Sequence, residues 1–309
     1  MYSKIRCAVV GSINMDIILN TDRIPFDGES LPGNNYSYAC GGKGANQATG
    51  LARLGAQTRM IGKVGDDANG HKLLENLKKN KIDTKNVFTD GTQSGLAAIL
   101  LEKDGKNRII VFEGANAEID PDEAANAITD DLDLLLVQFE TKEDVVIKTV
   151  NEAIKKGITT VVDCGPAKGF PLEEIQGITI ISPNESEAKE LTGVSPDDEE
   201  SMIKASKILL ERSKAKYAVL KLGARGCSVY DSKDFKILPA YKSEVVDTTA
   251  AGDSFTAAMA LEFIKSGDIY SACDIGNKAG SIAVSRMGAD ASMPTIDDIL
   301  KITKKNTHI

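Results

Sequence analysis

One short segment, Asp247–Phe255 (DTTAAGDSF), holds residue types able to run a group transfer. Three small residues, Ala250, Ala251 and Gly252, lead into an apolar helical run, with Asp253 at its start. Small residues let backbone N–H groups turn toward one concave spot, and a helix N-terminus adds partial positive charge there. Such an anion hole suits charge developing on a transferring phosphoryl group, where one donor is worth about 10²–10³ in rate. An aspartate in the same place can take a proton from a substrate hydroxyl, worth about 10²–10⁴. The bland alternative is an N-cap at Asp253 with small residues that only pack tightly.

Other segments offer polar groups in the same style. Cys40–Asn46 (CGGKGAN) has Gly41, Gly42 and Gly44, which allow unusual backbone angles and close ligand approach, with Lys43 and Asn46 as polar heads. Gly11–Asp16 (GSINMD) follows the first expected strand, and Asn14 and Asp16 share side-chain parity along an extended chain. An amide and a carboxylate so placed can meet adjacent sugar hydroxyls, or can simply form turns. Glu140 in QFE, Ser182–Glu187 (SPNESE) and Lys221–Gly226 (KLGARG) also follow expected strands. Open α/β sheets bind ligands at such strand exits.

The elements that must hold these groups read as alternating strands and helices. Apolar runs predict strands at Arg6–Val10, Thr58–Val64, Asp133–Val137, Thr159–Asp163, Thr179–Ser182 and Ala218–Leu222. Helical periodicity marks Ala45–Leu54, Asn69–Lys81, Asp144–Lys156, Asp198–Lys214, Asp253–Ser266 and Ile269–Arg286. This rhythm predicts an α/β fold with a mostly parallel central sheet flanked by helices. Two excursions break it, at about 17–40 and 95–112. The second reads as a hairpin, AAILLE and RIIVFE around a turn at Asp104-Gly105. Linker-like composition is absent, so we expect one domain over 1–309 with a small β-sheet lid.

Composition narrows the function classes. The chain has 309 residues, 42% hydrophobic and 27% charged, as ordinary globular proteins do. A net charge of -8 argues against nucleic acid as a partner. No run approaches the roughly 20 apolar residues of a membrane span, and the N-terminus turns straight into a strand pattern, so the expected location is cytoplasmic. The scattered cysteines, Cys7, Cys40, Cys164, Cys227 and Cys273, fit unpaired thiols. With only His71 and His308 and no metal-binding motif, a zinc site is not expected. Neither GxxxxGK[ST] nor a strand-following GxGxxG occurs, which argues against a Walker-type or dinucleotide-binding protein.

Taken together, GSINMD, GGKGANQA, SPNESE, KLGARG and DTTAAGDSF closely resemble the ribokinase-like, or PfkB-type, family of carbohydrate kinases, in the family's order from about Cys7 to Pro294. The resemblance implies an ATP-dependent kinase with Asp253 as base and the backbone of Ala250, Ala251 and Gly252 as anion hole. It implies sugar contacts from Asn14, Asp16, Gly41, Gly42, Lys43, Asn46 and Glu140, and this set looks most like that of members acting on D-ribose. ATP is implied along Asn184, Lys221, Leu222, Gly223, Ala224, Arg225, Gly226 and Gly252, with Asn277 near the adenine. Asn184 and Glu187 match a motif linked to Mg²⁺. Asp247, Thr249, Ala283, Arg286, Gly288 and Ser292 match a monovalent-cation site that takes K⁺. The lid strands in this family often pair between subunits, which implies a homodimer. Two departures stand out: Ser254 where Thr is frequent, and Thr256-Ala257-Ala258 in place of the common Asn-Gly-Ala. Both are expected to affect packing more than chemistry. Another sugar or a nucleoside as acceptor, or a catalytically silent sensor, are the competing expectations.

Overall fold

Residues 2–103, 106–167 and 169–306 are described by a computed structural model. In chain order the strands are β1 (Arg6–Val10), β2 (Asn14–Thr21), β3 (Asn35–Gly41), β4 (Gln57–Gly65), β5 (Asp83–Asp90), β6 (Gly95–Glu102), β7 (Asn107–Phe112), β8 (Leu134–Gln138), β9 (Thr159–Asp163), β10 (Ile180–Ser182), β11 (Tyr217–Lys221), β12 (Cys227–Tyr230) and β13 (Phe235–Leu238). The helices are α1 (Lys43–Arg53), α2 (Ala68–Lys79), α3 (Pro121–Asn126), α4 (Glu143–Lys155), α5 (Glu185–Thr192), α6 (Glu199–Ser213), α7 (Ala251–Ser266), α8 (Ile269–Ala283), α9 (Ala289–Ser292) and α10 (Ile296–Asn306).

The alternation of side chains along the strands decides the layers. In β1, Cys7 and Val9 enter one apolar core, and Ala8 and Val10 the other. In β8, Leu134 and Leu136 divide from Leu135 and Val137 in the same way. Strands apolar on both faces need helices on both. The first core is closed by α1, α2, α7, α8 and α10, the second by α3, α4, α5 and α6. The main sheet runs β13-β12-β11-β10-β9-β8-β1-β4-β5. It is parallel except where β12 and β13 join antiparallel. From β1 the chain goes to β4 on one side and returns to β8 on the other. A crevice opens at the carboxyl ends of the strands beside such a switch point.

A second sheet runs β3-β2-β6-β7, with β2 and β6 parallel and the other pairs antiparallel. The hairpin expected at 95–112 is present, with Leu96 opposite Phe112 and Leu101 opposite Asn107; its turn at Asp104-Gly105, like His308, lies outside the described residues. The first excursion begins earlier than 17, because β2 starts at Asn14 and carries the GSINMD motif into the second sheet.

Two glycines bring the motif segments together. Gly42 precedes α1 with φ 91°, and a Cβ there would stand 2.7 Å from the Ser12 carbonyl oxygen. A Cβ on Gly44 would stand 2.6 Å from the Gly11 carbonyl carbon. Only glycine lets the first turn of α1 lie directly on the loop after β1. Helix α7 packs against α1, with Gly50 and Ala257 in close contact.

Candidate active site

Asp253 is the third residue of α7, and it does not cap the helix. Ala250 holds the N-cap position with φ 59° and makes no side-chain cap bond. Two backbone bonds are made at this helix start, Ala251 N–H to Thr248 O at 3.3 Å and Ser254 N–H to Ala250 O at 2.9 Å. Among the described residues the N–H groups of Ala250, Gly252 and Asp253 meet no backbone acceptor, the situation of a helix start awaiting an anion. The Asp253 side chain is 5% exposed. Its Oδ2 accepts from Asn46 Nδ2 at 3.0 Å and its Oδ1 from Gln47 Nε2 at 2.9 Å. Two side-by-side amides on α1 thus fix both carboxylate oxygens.

Behind Asp253 stands a carboxylate that sequence reasoning missed. Asp163, at the end of β9, is fully buried. Its Oδ2 accepts from Lys221 Nζ at 2.7 Å, Gln47 Nε2 at 3.1 Å and Thr256 Oγ1 at 3.1 Å. Burial works to raise its pKa, but the Lys221 and Lys43 ammonium groups and these hydrogen bonds hold it below the ordinary value. Gln47 therefore links Asp163 to Asp253, and Gln138 Nε2 orients it by donating to Gln47 Oε1 at 2.6 Å. The Asp163 position read only as the last residue of a strand. Gln47 lay inside the motif GGKGANQA but was not singled out. Thr256, expected to matter for packing, instead carries one of the bonds to Asp163.

The expected sugar contacts come together from both sheets. Asn14 Oδ1 accepts from Asn116 Nδ2 at 2.7 Å, which leaves the Asn14 amide N–H groups without a protein acceptor among the described residues. Asn116 was not anticipated; its Oδ1 also accepts from Ile13 N–H at 2.9 Å, securing this end of β2. The Asp16 carboxylate lies against Gly41. Its pKa is pushed up to about 7, by burial first and then by the Glu140 carboxylate. Glu140 Oε2 accepts from Ser12 Oγ and from Lys43 N–H at 3.2 Å. Burial opposes the charge on Lys43, but Asp253, Asp163, Glu140 and Glu187 outweigh it and keep the pKa above that of an ordinary lysine. The resulting cluster of acceptors and donors around one ammonium is suited to a polyhydroxy ligand.

From Asp253 a cleft of about 890 Å³ continues across the strand exits. Lys43, Asn184, Lys221, Gly223, Ala224, Gly226 and Asn277 line it, together with the start of α7. Two expected contacts do not. Leu222 is buried in the second core. The Arg225 guanidinium turns to Glu185 at 2.5 Å and to the carbonyl oxygens of Asp197 and Pro196. The KLGARG turn thus offers its glycines and Ala224 to the cleft and its large side chains to the fold. Asn277 Nδ2 donates to the carbonyl oxygens of Leu238 and Pro239 at 3.1 and 3.2 Å, so its carbonyl can face a ligand.

Asn184 and Glu187 form a capping box on α5. Glu187 Oε2 accepts from Asn184 N–H at 2.7 Å and Oε1 from Asn184 Nδ2 at 2.8 Å. Asp247, Thr249, Ala283, Arg286 and Gly288 are drawn together by backbone and side-chain bonds. Asp247 Oδ1 accepts from Thr249 N–H at 2.9 Å and Oδ2 from Gly288 N–H at 2.8 Å. Arg286 N–H donates to Ala283 O at 3.0 Å. Ser292, in the following turn, is buried and donates to Ala289 O at 2.8 Å.

Comparison with known proteins bears directly on this geometry. The model of the pfkB family carbohydrate kinases matches residues 4–296. The chain is 36% identical to a ribokinase of Bacillus subtilis over 294 residues, covering 94% of this chain and 97% of that one. It is 35% identical over 303 residues to a bifunctional ribokinase/ribose-5-phosphate isomerase A of Fructilactobacillus sanfranciscensis, covering 96% of this chain and 56% of that protein. The structure of Arabidopsis thaliana ribokinase complexed with ribose and ATP superposes with a TM-score of 0.89 at 30% identity, covering 98% of this chain and 99% of that one. With a family model matched over nearly the whole chain and a relative 36% identical over nearly all of both chains, the chain belongs to the pfkB family of carbohydrate kinases.

Proposed function

We propose that this protein transfers the γ-phosphoryl group of ATP to O5 of D-ribose, giving ribose 5-phosphate and ADP. The observation that carries the reading is the Asp253 carboxylate, held by two amides beside the uncommitted N–H groups of α7 and at the junction of sugar-facing groups and cleft. Ribokinase relatives at 35–36% identity support ribose as the acceptor. So does the relative whose second activity is a ribose-5-phosphate isomerase, which acts on the same product.

Asn14, Asp16, Gly41, Gly42, Lys43, Asn46 and Glu140 orient the sugar. Asp253 takes the O5 proton as that oxygen attacks phosphorus. The N–H groups of the Ala250–Asp253 turn stabilise charge on the transferring group, so catalysis is mainly positioning and electrostatics. The four-stranded sheet serves as a lid of one kinase domain and excludes water from the phosphoryl group.

Two ions fit the residues present. Each Glu187 oxygen accepts one bond and keeps acceptor capacity for water on a hydrated Mg²⁺, which usually retains several waters. Mg²⁺ supplies charge neutralisation on the nucleotide. The Asp247 loop offers one carboxylate and backbone carbonyls, a hard oxygen set suited to a weakly hydrated K⁺, and we assign Thr249, Ala283, Arg286, Gly288 and Ser292 to the same ion. Such an ion would steady the loop leading into α7.

The exposed apolar residues of the second sheet, among them Tyr36, Tyr38 and Ile109–Phe112, support a homodimer formed through the lid. The thiols of all five cysteines are unpaired, and no described helix is long and apolar enough to cross a membrane; we place the protein in the cytoplasm.

The test is ADP release with Mg²⁺ and ATP on D-ribose, 2-deoxyribose, D-fructose and adenosine, each with K⁺ or Na⁺. We expect turnover on ribose, stimulated by K⁺. Turnover confined to another acceptor would refute the ribose assignment and keep the kinase. Silence of the folded protein on all four would overturn the reading.

A further inference from the structure

Lys221 has the surroundings of a charge held for use. Its ammonium donates to Asp163 Oδ2 at 2.7 Å, and the side chains are 12% and 0% exposed. Taking two charges out of water costs more than a mere structural pair commonly returns, and apolar residues of similar volume often do as well. The pair is also asymmetric. The Asp163 end is locked by Gln47, Thr256 and the Gly165 N–H group, the last at 3.3 Å. The Lys221 end reaches the cleft wall. There its Nζ lies 3.9 Å from where a Cβ on Gly252 would stand. Gly252 carries one of the N–H groups that meet no backbone acceptor at the start of α7. An anion resting on that N–H group therefore comes within reach of the Lys221 ammonium.

Resting on the phosphoryl-transfer reading above, we propose that Lys221, pinned by the buried Asp163 carboxylate, is a catalytic cation that contacts the transferring phosphoryl group alongside the N–H groups of α7. Lys221 keeps its proton throughout and forms no covalent bond. It offsets negative charge on the phosphoryl oxygens while phosphorus passes from the bridging oxygen of ATP to the acceptor oxygen. Thr256 has a matching part as a positioning residue, since its hydroxyl fixes the carboxylate that holds the ammonium.

The deciding variant is Asp163→Asn/Lys221→Thr, which removes both charges and leaves no orphaned carboxylate. Lys221→Gln keeps a donor for Asp163 without the charge and serves if the double variant does not fold. Two readouts are taken, steady-state kinetics and calorimetric titration with Mg-ATP and with Mg-ADP in the absence of sugar. We expect kcat to fall about 10²-fold, the size of one lost electrostatic donor, with the KM for sugar within about twofold of the parent. The preference for ATP over ADP should fall about tenfold, because the cation faces the γ-phosphate. A folded variant with kcat within about threefold of the parent and an unchanged ATP-to-ADP preference would overturn the proposal. If the parent protein is silent on ribose, the acceptor assignment fails separately, and the ATP-to-ADP preference still decides the role of Lys221.

Discussion

In the nine-stranded sheet Leu134, Leu135, Leu136 and Val137 are all fully buried, whereas in the four-stranded sheet Ile109, Ile110, Val111 and Phe112 each expose 51–56% of their surface. Both runs are apolar on both faces. The first is covered because helices return across each face of its sheet. The second lies on the outermost strand of a sheet that no helix among the described residues encloses there. Exposed apolar strands at an edge invite a further strand or a partner surface. The difference separates two jobs. On the proposed reading, the enclosed sheet sets the geometry of the base, while the open one would supply groups that close on a sugar and a face for a second copy of the chain.

The sharpest way to break that comparison is at the base. Asp253→Asn should lower kcat by about 10²–10⁴, while the loss of one acceptor for the Asn46 and Gln47 amides costs only about 1–3 kcal/mol and leaves the protein folded. Steady-state rates and a thermal scan check it. If Asp16→Asn, on the second sheet, lowered kcat as far, the chemistry would not belong to the enclosed body alone.

Next in size is a pair of core and edge substitutions. Leu136→Ala should cost about 2–5 kcal/mol, read by urea unfolding and independent of protein concentration. Ile110→Asp should instead weaken self-association more than about tenfold, since it places a charge in an apolar contact. Light scattering over a dilution series reads it. A wild-type protein that is monomeric at micromolar concentration would contradict the homodimer.

A third test uses pH. Asp16 is held near 7, above its ordinary range, so the native state keeps a proton that the unfolded chain releases. Stability should therefore fall as pH rises from about 4 to 7. Ionised Asp16 is the better acceptor for a sugar hydroxyl, so the KM for ribose should fall about tenfold between pH 6 and 8, as expected for a carboxyl titrating near 7. Asp16→Asn should flatten both profiles.

The smallest effect is expected at Thr256. Thr256→Val removes one of three donors to Asp163 Oδ2 and should cost about 1–2 kcal/mol by chemical denaturation. No loss at all would show that Lys221 and Gln47 alone suffice to hold Asp163 Oδ2.

How much of this was legible follows from how each element is buried. The strands at Arg6–Val10 and Thr159–Asp163 were read with the bounds that the structure has, because runs apolar on both faces have few alternatives. The strands Asp83–Asp90, Cys227–Tyr230 and Phe235–Leu238 were missed. The first and last are half-open edges of the sheet, DTKNVFTD and FKIL, where solvent removes the apolar signal. Helix α5 was not anticipated because SPNESE was read only for its polar groups at a strand exit, although its Asn184–Glu187 spacing is a capping box. At the site, Asp253, Lys43 and Asn46 stood out inside motif segments, whereas Asp163 was a lone carboxylate at a strand end, Asn116 a single polar residue, and Ser12, though inside GSINMD, was not singled out.

Chain chemistry by itself determined the layered α/β arrangement, the hairpin at 95–112 and the grouping of small residues before Asp253, since each depends on residues near one another in sequence. Only tertiary structure decided that Asp253 sits inside the first turn rather than capping it, that Arg225 turns away from the cleft, and that Gln47, Thr256 and Lys221 converge on Asp163. Gln47 and Asp163 lie 116 positions apart. Their bond exists because parallel strands and returning helices bring their ends to one crevice, and no local periodicity records which side chains will face each other there.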